Sequence, residues 1–346
     1  MPEAIDGVDS LPMLTAKSVR QFHSKISAEL ESQCAGLLER HPIKRYLSCL
    51  SPYDRYQHYE SFRPALISSF DEIRVELDGA AAKYQQVALL TLLADRLKHF
   101  SEEPLPALVR RHCEDWFERI VDDTHRRPPS YYHPSRSDFV KDIAVCVGRA
   151  MPVGGAWLVE CRRMNRSQLF CGRSETGSGD RRDGDSATAR RYGVKIARSL
   201  GIEYPLKAIR ARWRDVSARF KSYYVIHTVD RDRALFNSQQ MNRAYGNIAE
   251  LLKQNPGVAG VYRRSWFLDP ALNKITPALS FLTDVPTKNG AQMKLCGEVP
   301  RGELKKVLST SPERNRLYES GEYVPKIYAY HWARQNVLEW ARQFSP

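Results

Sequence analysis

The chain has 346 residues, 42% of them apolar and 27% charged, with a formal net charge of +13 at neutral pH. That length exceeds what one hydrophobic core comfortably organises and predicts two subdomains of ordinary globular composition. No stretch approaches the roughly 18 consecutive apolar residues of a membrane-spanning helix, and the acidic start Met1-Pro2-Glu3-Ala4-Ile5-Asp6 lacks the apolar core of a secretory signal, so no membrane span and a cytoplasmic location are expected.

The seven cysteines, Cys34, Cys49, Cys113, Cys146, Cys161, Cys171 and Cys296, are odd in number and form no C-x-x-C pair. That pattern argues against a zinc site or a disulfide framework and suits a reducing cytoplasm. No metal is expected from it.

In chain order, Thr15–Leu38 reads as an amphipathic helix, with Val19, Phe22, Ile26, Leu30, Leu37 and Leu38 near one face. Tyr53–Glu60 is a polar aromatic cluster (Tyr-Asp-Arg-Tyr-Gln-His-Tyr-Glu), suited to half-buried packing and, less so, to stacking on a ligand. Ile67–Leu77, Ala80–Phe100 and Leu108–Asp123 read as further helices. The middle one is nearly continuously apolar over Gln85–Leu93 and is expected at the centre of an N-terminal bundle. Arg126–Asp138, rich in proline, tyrosine and arginine, lacks apolar periodicity and is the best boundary, giving a helical domain over 1–135 and an α/β domain over 136–346.

Phe139–Ala150 is a short helix, Gly154-Gly155 a turn, and Ala156–Cys161 and Gln168–Cys171 short strands. Residues 172–186, Gly-Arg-Ser-Glu-Thr-Gly-Ser-Gly-Asp-Arg-Arg-Asp-Gly-Asp-Ser, contain nothing fit for a core and read as a mobile surface loop. Residues 222–267 form the organising unit: an apolar strand Ser222–Val229, a helix over Leu235–Lys253 stopped by Asn255-Pro256-Gly257, and a second strand Val258–Phe267. Such strand–helix–strand units favour parallel sheets with sites at the strands' carboxyl ends. Later, Asn289-Gly290 is read as the turn of a hairpin between Leu279–Val285 and Ala291–Cys296. Ser311 and Pro312 are placed as N-cap and first residue of a helix ended by Gly321. Val324–Trp332 is an aromatic strand and Gln335–Phe344 a closing helix.

The chain lacks G-x-x-x-x-G-K-[ST], G-x-S-x-G and H-E-x-x-H, which lowers the odds of a P-loop nucleotidase, an α/β-hydrolase or a zincin. At the end of the first central strand stand His227 and Asp230. A histidine there suits a general base, with a neighbouring carboxylate setting its tautomer. Ser265 and Asp269 follow the second strand and can line the same mouth. Arg314 and Arg316, just inside a helix start, suit a clamp on a substrate carboxylate or phosphate.

Arg190-Arg191-Tyr192-Gly193-Val194-Lys195 resembles the R-x-x-G-x-G/A phosphate loop of GCN5-related N-acyltransferases, with Lys195 where that family has glycine or alanine. The resemblance covers about residues 156–296, where a strand, a basic loop and helix, and a strand–helix–strand unit follow one another. It implies an α+β protein: an N-terminal helical bundle, then a mixed-sheet α/β acyltransferase-like domain. It further implies that Arg190, Arg191, Gly193 and Lys195 hold acyl-CoA through free amides at a helix start. A small-molecule amine or amino-acid-like compound is the implied acceptor. His227 or Asp230 would deprotonate the amine, and Tyr245, on the later helix, would protonate the departing thiolate. The stretches Ser265-Trp266-Phe267-Leu268-Asp269-Pro270 and Arg316-Leu317-Tyr318-Glu319-Ser320-Gly321-Glu322-Tyr323 also resemble a widespread group of bacterial proteins.

The charge supplies the alternative. Between Glu160 and Lys221 stand 16 lysines and arginines against 7 acids. Such a patch attracts polyanions, and with Trp213 and Phe220 interleaved it suits a nucleic-acid-binding or regulatory protein, although no reading-helix signature accompanies it.

Overall fold

The computed structural model describes residues 16–50, 58–164 and 221–344. The fold is α+β: helices come first, and a mixed six-stranded sheet with helices follows. No helix among the described residues is long and apolar enough to cross a membrane. The chain divides into two compact units. One runs through Arg162, resumes over Tyr224–Pro256 and takes the end of the chain from Ala341; the other is built mainly from Gly257–Trp340.

The first unit opens with helices α1 (Ala16–Gln33), α2 (Arg63–Leu77), α3 (Ala81–His99), α4 (Ala107–Arg126) and α5 (Ser137–Cys146). As its composition predicts, α3 is central: Tyr84 through Leu90 are buried without interruption, so over that stretch no face of the helix is left to water. Its buried amides are satisfied, Gln85 by the Tyr46 hydroxyl at 2.8 Å and Gln86 by the Thr124 carbonyl at 3.1 Å, which removes the penalty of burying them.

Strands β1 (Met151–Pro152), β2 (Trp157–Met164) and β3 (Lys221–Thr228) follow in that spatial order, with helix α6 (Ser238–Gln254) after them. β1 and β2 are antiparallel across a tight turn at Gly154 and Gly155, both at positive φ. A Cβ on Gly155 would lie 2.8 Å from the Trp157 ring, so the turn needs glycine for space as well as for conformation. The turn is the one the Gly-Gly pair predicts, but it joins β2 to the strand before it. Gln168–Cys171 and the 172–186 segment lie outside the described residues.

Directly after β3, the turn Asp230–Leu235 is tied to the helices. Arg231 grips Asp142 through both terminal guanidinium nitrogens, at 2.6 and 3.1 Å, and stacks 4.5 Å over the Trp116 ring. Trp116 Nε1–H donates to the same carboxylate at 2.9 Å, and the Tyr131 hydroxyl completes its shell. Arg119 lies 4.0 Å over the same Trp116 ring and pairs with Asp232 at 3.0 Å. Two arginines and one tryptophan thus fix the carboxyl end of β3 against α4 and α5.

The second unit holds β4 (Val258–Ser265), α7 (Phe281–Lys288), β5 (Gln292–Glu298), α8 (Arg301–Leu308), α9 (Pro312–Glu319), β6 (Lys326–Ala333) and most of α10 (Arg334–Phe344). Its strands run β4-β6-β5 with both pairings antiparallel, Gly260 opposite Ala333 on one side and Gln292 opposite His331 on the other. α9 starts as predicted: Ser311 Oγ accepts the Arg314 amide, and Pro312 occupies the first turn.

The hairpin expected around Asn289-Gly290 is not formed. Residues 281–288 are helical, because Leu282, Thr283 and Pro286 bury on one side at helical spacing and Thr287 Oγ1 bonds back to the Thr283 carbonyl. Gly290, at φ 82°, is then the left-handed residue that ends a helix, with the Ala291 amide reaching back to the Pro286 carbonyl at 2.8 Å. An Asn-Gly pair signals a hairpin only when a strand precedes it. β5 instead pairs with β6.

Candidate functional site

His227 stands near the end of β3, where burial changes from complete (Tyr223–Ile226) to partial (His227 and Thr228). The carboxylate that meets it belongs to Glu160, on the neighbouring strand β2: Nε2 and Oε1 are 3.1 Å apart. Glu160 is a charged residue inside the buried run Trp157-Leu158-Val159-Glu160. Its side chain is 1% exposed, while that of His227 is 16% exposed. A carboxylate so placed must be hydrogen-bonded, since burying it bare would cost several kcal/mol. Its second oxygen accepts the Tyr59 amide at 2.6 Å.

The third member is His58, which precedes the 3-10 turn Tyr59–Phe62 and caps it: Nδ1 accepts the Glu60 amide at 3.1 Å. Because Nδ1 accepts a hydrogen bond, the proton of neutral His58 sits on Nε2, which faces Glu160 Oε1 at 3.9 Å, beyond hydrogen-bond range. Burial pushes His58 below the ordinary imidazole range, partly opposed by Glu160. The rings of His58 and His227 meet edge to face at 4.9 Å, and Tyr59 packs against His227 at 4.7 Å.

The tautomer of His227 follows from its partner. A carboxylate only accepts, so Nε2 carries hydrogen and the basic lone pair falls on Nδ1. The arrangement is a carboxylate-oriented imidazole, the same division of labour by which a buried acid holds a catalytic histidine in its working orientation. His58, Glu160 and His227 also offer three potential metal-ligand atoms that all lie within 4.8 Å of one another.

The other residues singled out from sequence fall as follows. Asp230 opens the turn after β3 that Arg231 anchors. Tyr245 is fully buried in the packed face of α6, beside Met241, Ile248 and Leu252. Arg190, Arg191, Gly193 and Lys195 lie outside the described residues, as does the 160–221 patch beyond Met164 and before Lys221.

In the second unit, Ser265 Oγ accepts the Phe267 amide at 3.1 Å and so caps the turn Trp266–Leu268. Asp269 is 4% exposed and accepts from the Tyr323 hydroxyl, the Lys326 amide and the Ala271 amide. Arg314 is buried, lies 4.7 Å over the Trp266 ring and donates to Thr310 Oγ1. Ser265, Asp269 and Arg314 therefore gather around one turn. Arg316 instead makes an exposed pair with Glu313 at 2.9 Å.

Sequence reasoning missed Glu160 and His58. A glutamate inside an apolar strand was the available signal for the first, and the histidine within the 53–60 aromatic cluster for the second. No protein-family model, curated protein or solved structure matches the chain.

Proposed function

We propose that His227 is the general base of a group-transfer reaction and that Glu160 orients it. The observation that carries this reading is the 3.1 Å contact between a nearly inaccessible carboxylate and a histidine that keeps partial access to solvent. An oriented base of this kind contributes about 10²–10⁴-fold to a proton-transfer step.

The reaction class that joins this base to the acyltransferase-like segment is acyl transfer from coenzyme A to a small amine. His227 Nδ1 takes a proton from the ammonium form and so frees the nitrogen lone pair to bond to the thioester carbonyl; as the carbon–sulfur bond breaks, the nitrogen gives up a second proton and the leaving thiolate takes one up, so that one proton passes on to solvent. Base assistance is needed because an alkyl amine with a pKa near that of lysine, ~10.4, is almost wholly protonated at neutral pH. Tyr245 is not used, because a fully buried phenol cannot reach a departing thiolate without opening the core. Arg190, Arg191, Gly193 and Lys195 are the residues that would hold the coenzyme's phosphates.

The test is thiol release from acetyl-CoA in the presence of a panel of small amines, together with melting temperature in millimolar acetyl-CoA. The expected result is amine-dependent release that falls at least ~100-fold in His227→Gln, with a rise in melting temperature. Absence of both release and melting shift removes coenzyme A. A separate nitrogen NMR spectrum that shows Nε2 of His227 without hydrogen removes the dyad.

A further inference from the structure

The proton-transfer pair uses two of the three groups that converge here. His58 is left over. It is too far from Glu160 to hydrogen-bond, at 3.9 Å, yet its Nε2 points at the same oxygen that His227 uses.

We infer that His58, Glu160 and His227 form a binding site for a divalent transition-metal ion of the zinc class, through Nε2, Oε1 and Nε2. Two imidazoles and one carboxylate are the donor set such borderline ions take in open, three-ligand sites, with a fourth position left to solvent or substrate. The second oxygen of Glu160 is already held by the Tyr59 amide, the kind of outer hydrogen bond that orients a ligating carboxylate. One side of the cluster is open, since the side chains of His58 and His227 are 28% and 16% exposed while Glu160 is closed off at 1%.

The three ligand atoms stand slightly too far apart. With bonds of about 2.1 Å, tetrahedral ligand atoms sit about 3.4 Å apart, whereas His58 Nε2 is 3.9 Å from Glu160 Oε1 and the three atoms lie within 4.8 Å of one another. Rotation of the His58 ring closes that gap, and the same rotation has a cost that can be observed. A metal on Nε2 moves the proton of His58 to Nδ1, so Nδ1 no longer accepts the Glu60 amide. Metal entry also takes Nε2 of His227 and Oε1 of Glu160, the two atoms of the proton-transfer pair. This inference therefore rests on the same site as the proposed base, and it makes the metal a ligand that switches that base off.

The experiment titrates the full-length, metal-stripped protein with Zn²⁺ and with Co²⁺, comparing wild type with His58→Gln. Wild type is expected to gain about 5 °C in melting temperature when Zn²⁺ is in ~100-fold excess over its dissociation constant. Co²⁺ is expected to give the visible absorption band of a four-coordinate site, and the Glu60 amide to lose its hydrogen-exchange protection. His58→Gln is expected to lose the shift and the band by at least 10-fold in affinity while keeping the Nε2–H of His227 in the nitrogen NMR spectrum. No shift and no band in wild type, or equal binding by His58→Gln, overturns the metal site and leaves the base reading intact. Metal binding by a protein whose His227 lacks Nε2–H in the metal-free state overturns the base reading and leaves the metal site standing.

Discussion

Glu160 and His227 are 67 positions apart in the chain, yet Oε1 and Nε2 meet at 3.1 Å where β2 and β3 run side by side. Glu160 also serves the Tyr59 amide, so one carboxylate satisfies two donors from distant segments. Replacing it with glutamine leaves one acceptor for two donors and turns an amide N–H toward one of them. Each buried donor without a partner costs about 1–3 kcal/mol. Glu160→Gln is expected to lose about 2–4 kcal/mol in urea unfolding, and the double variant with His227→Gln to show about 1–2 kcal/mol of coupling. Additivity within ~0.5 kcal/mol would mean that ring and carboxylate do not depend on each other.

The Arg231–Asp142 pair sets where that ring stands, because Arg231 lies four residues beyond His227 and is anchored to α4 and α5 through Asp142, Trp116 and Tyr131. Both members are buried, at 6% and 1% side-chain exposure. Removing one charge strands the other, a loss of about 3–5 kcal/mol, whereas replacing both by apolar groups of similar volume recovers much of it. Arg231→Met should therefore be more damaging than the double variant Arg231→Met with Asp142→Leu, measured as the midpoint of urea unfolding. If the single variant unfolds at the wild-type midpoint, the pair does not anchor the turn.

How much of this was readable in the sequence depends on the range of the interaction. The central strand, helix and strand were legible because each announces itself within about a dozen residues: an apolar run, helical spacing of Met241, Tyr245, Ile248 and Leu252, and the stop at Asn255-Pro256-Gly257. Ser311 and Pro312 were legible for the same reason. The helix over 281–288 was not, because Leu282, Thr283 and Val285 suit a strand as well as a helix, and only packing chose between them. His227 could be singled out by its place at a strand end, but its partner could not. That Glu160 rather than a nearby acid meets it depends on which strand lies beside β3, and that is a long-range fact.

Half-buried histidines set a pH dependence of stability. His23 is held below the ordinary imidazole range by burial, and its Nε2–H donates to Thr91 Oγ1 at 3.0 Å, since the Thr91 hydroxyl proton is already given to the Val87 carbonyl. With the folded value lowered, the unfolded chain binds more protons just below pH 6.5, so stability rises with pH there and is lost as pH falls through that range. His112 and His331 are lowered by burial too and act in the same direction. The melting temperature is expected to drop between pH 7.5 and 5.5. His23→Gln, which keeps a donor for Thr91 but cannot take up a proton, should show a smaller drop. A melting temperature that is flat or rises on acidification would contradict this sign.

Two glycines separate the effects of space and conformation. Gly260 sits in β4 opposite Ala333, at φ 154°, and a Cβ there would come within 2.2 Å of the Trp332 carbonyl oxygen and 2.9 Å of the Arg334 amide. Those atoms belong to the backbone of β6 and the start of α10, so they cannot swing aside as a side-chain tip would. Gly246 lies inside α6, where an added Cβ meets nothing within 4 Å. Gly246→Ala is expected to stabilise by about 0.5–1 kcal/mol, since alanine has the lower conformational entropy in the unfolded chain and the better helix propensity. Gly260→Ala should instead destabilise by at least about 2 kcal/mol, through strand displacement or loss of the β4–β6 pairing. Urea unfolding of the two single variants reads both signs. Equal effects would mean that the close approach of β4 to β6 at Gly260 does not hold in solution.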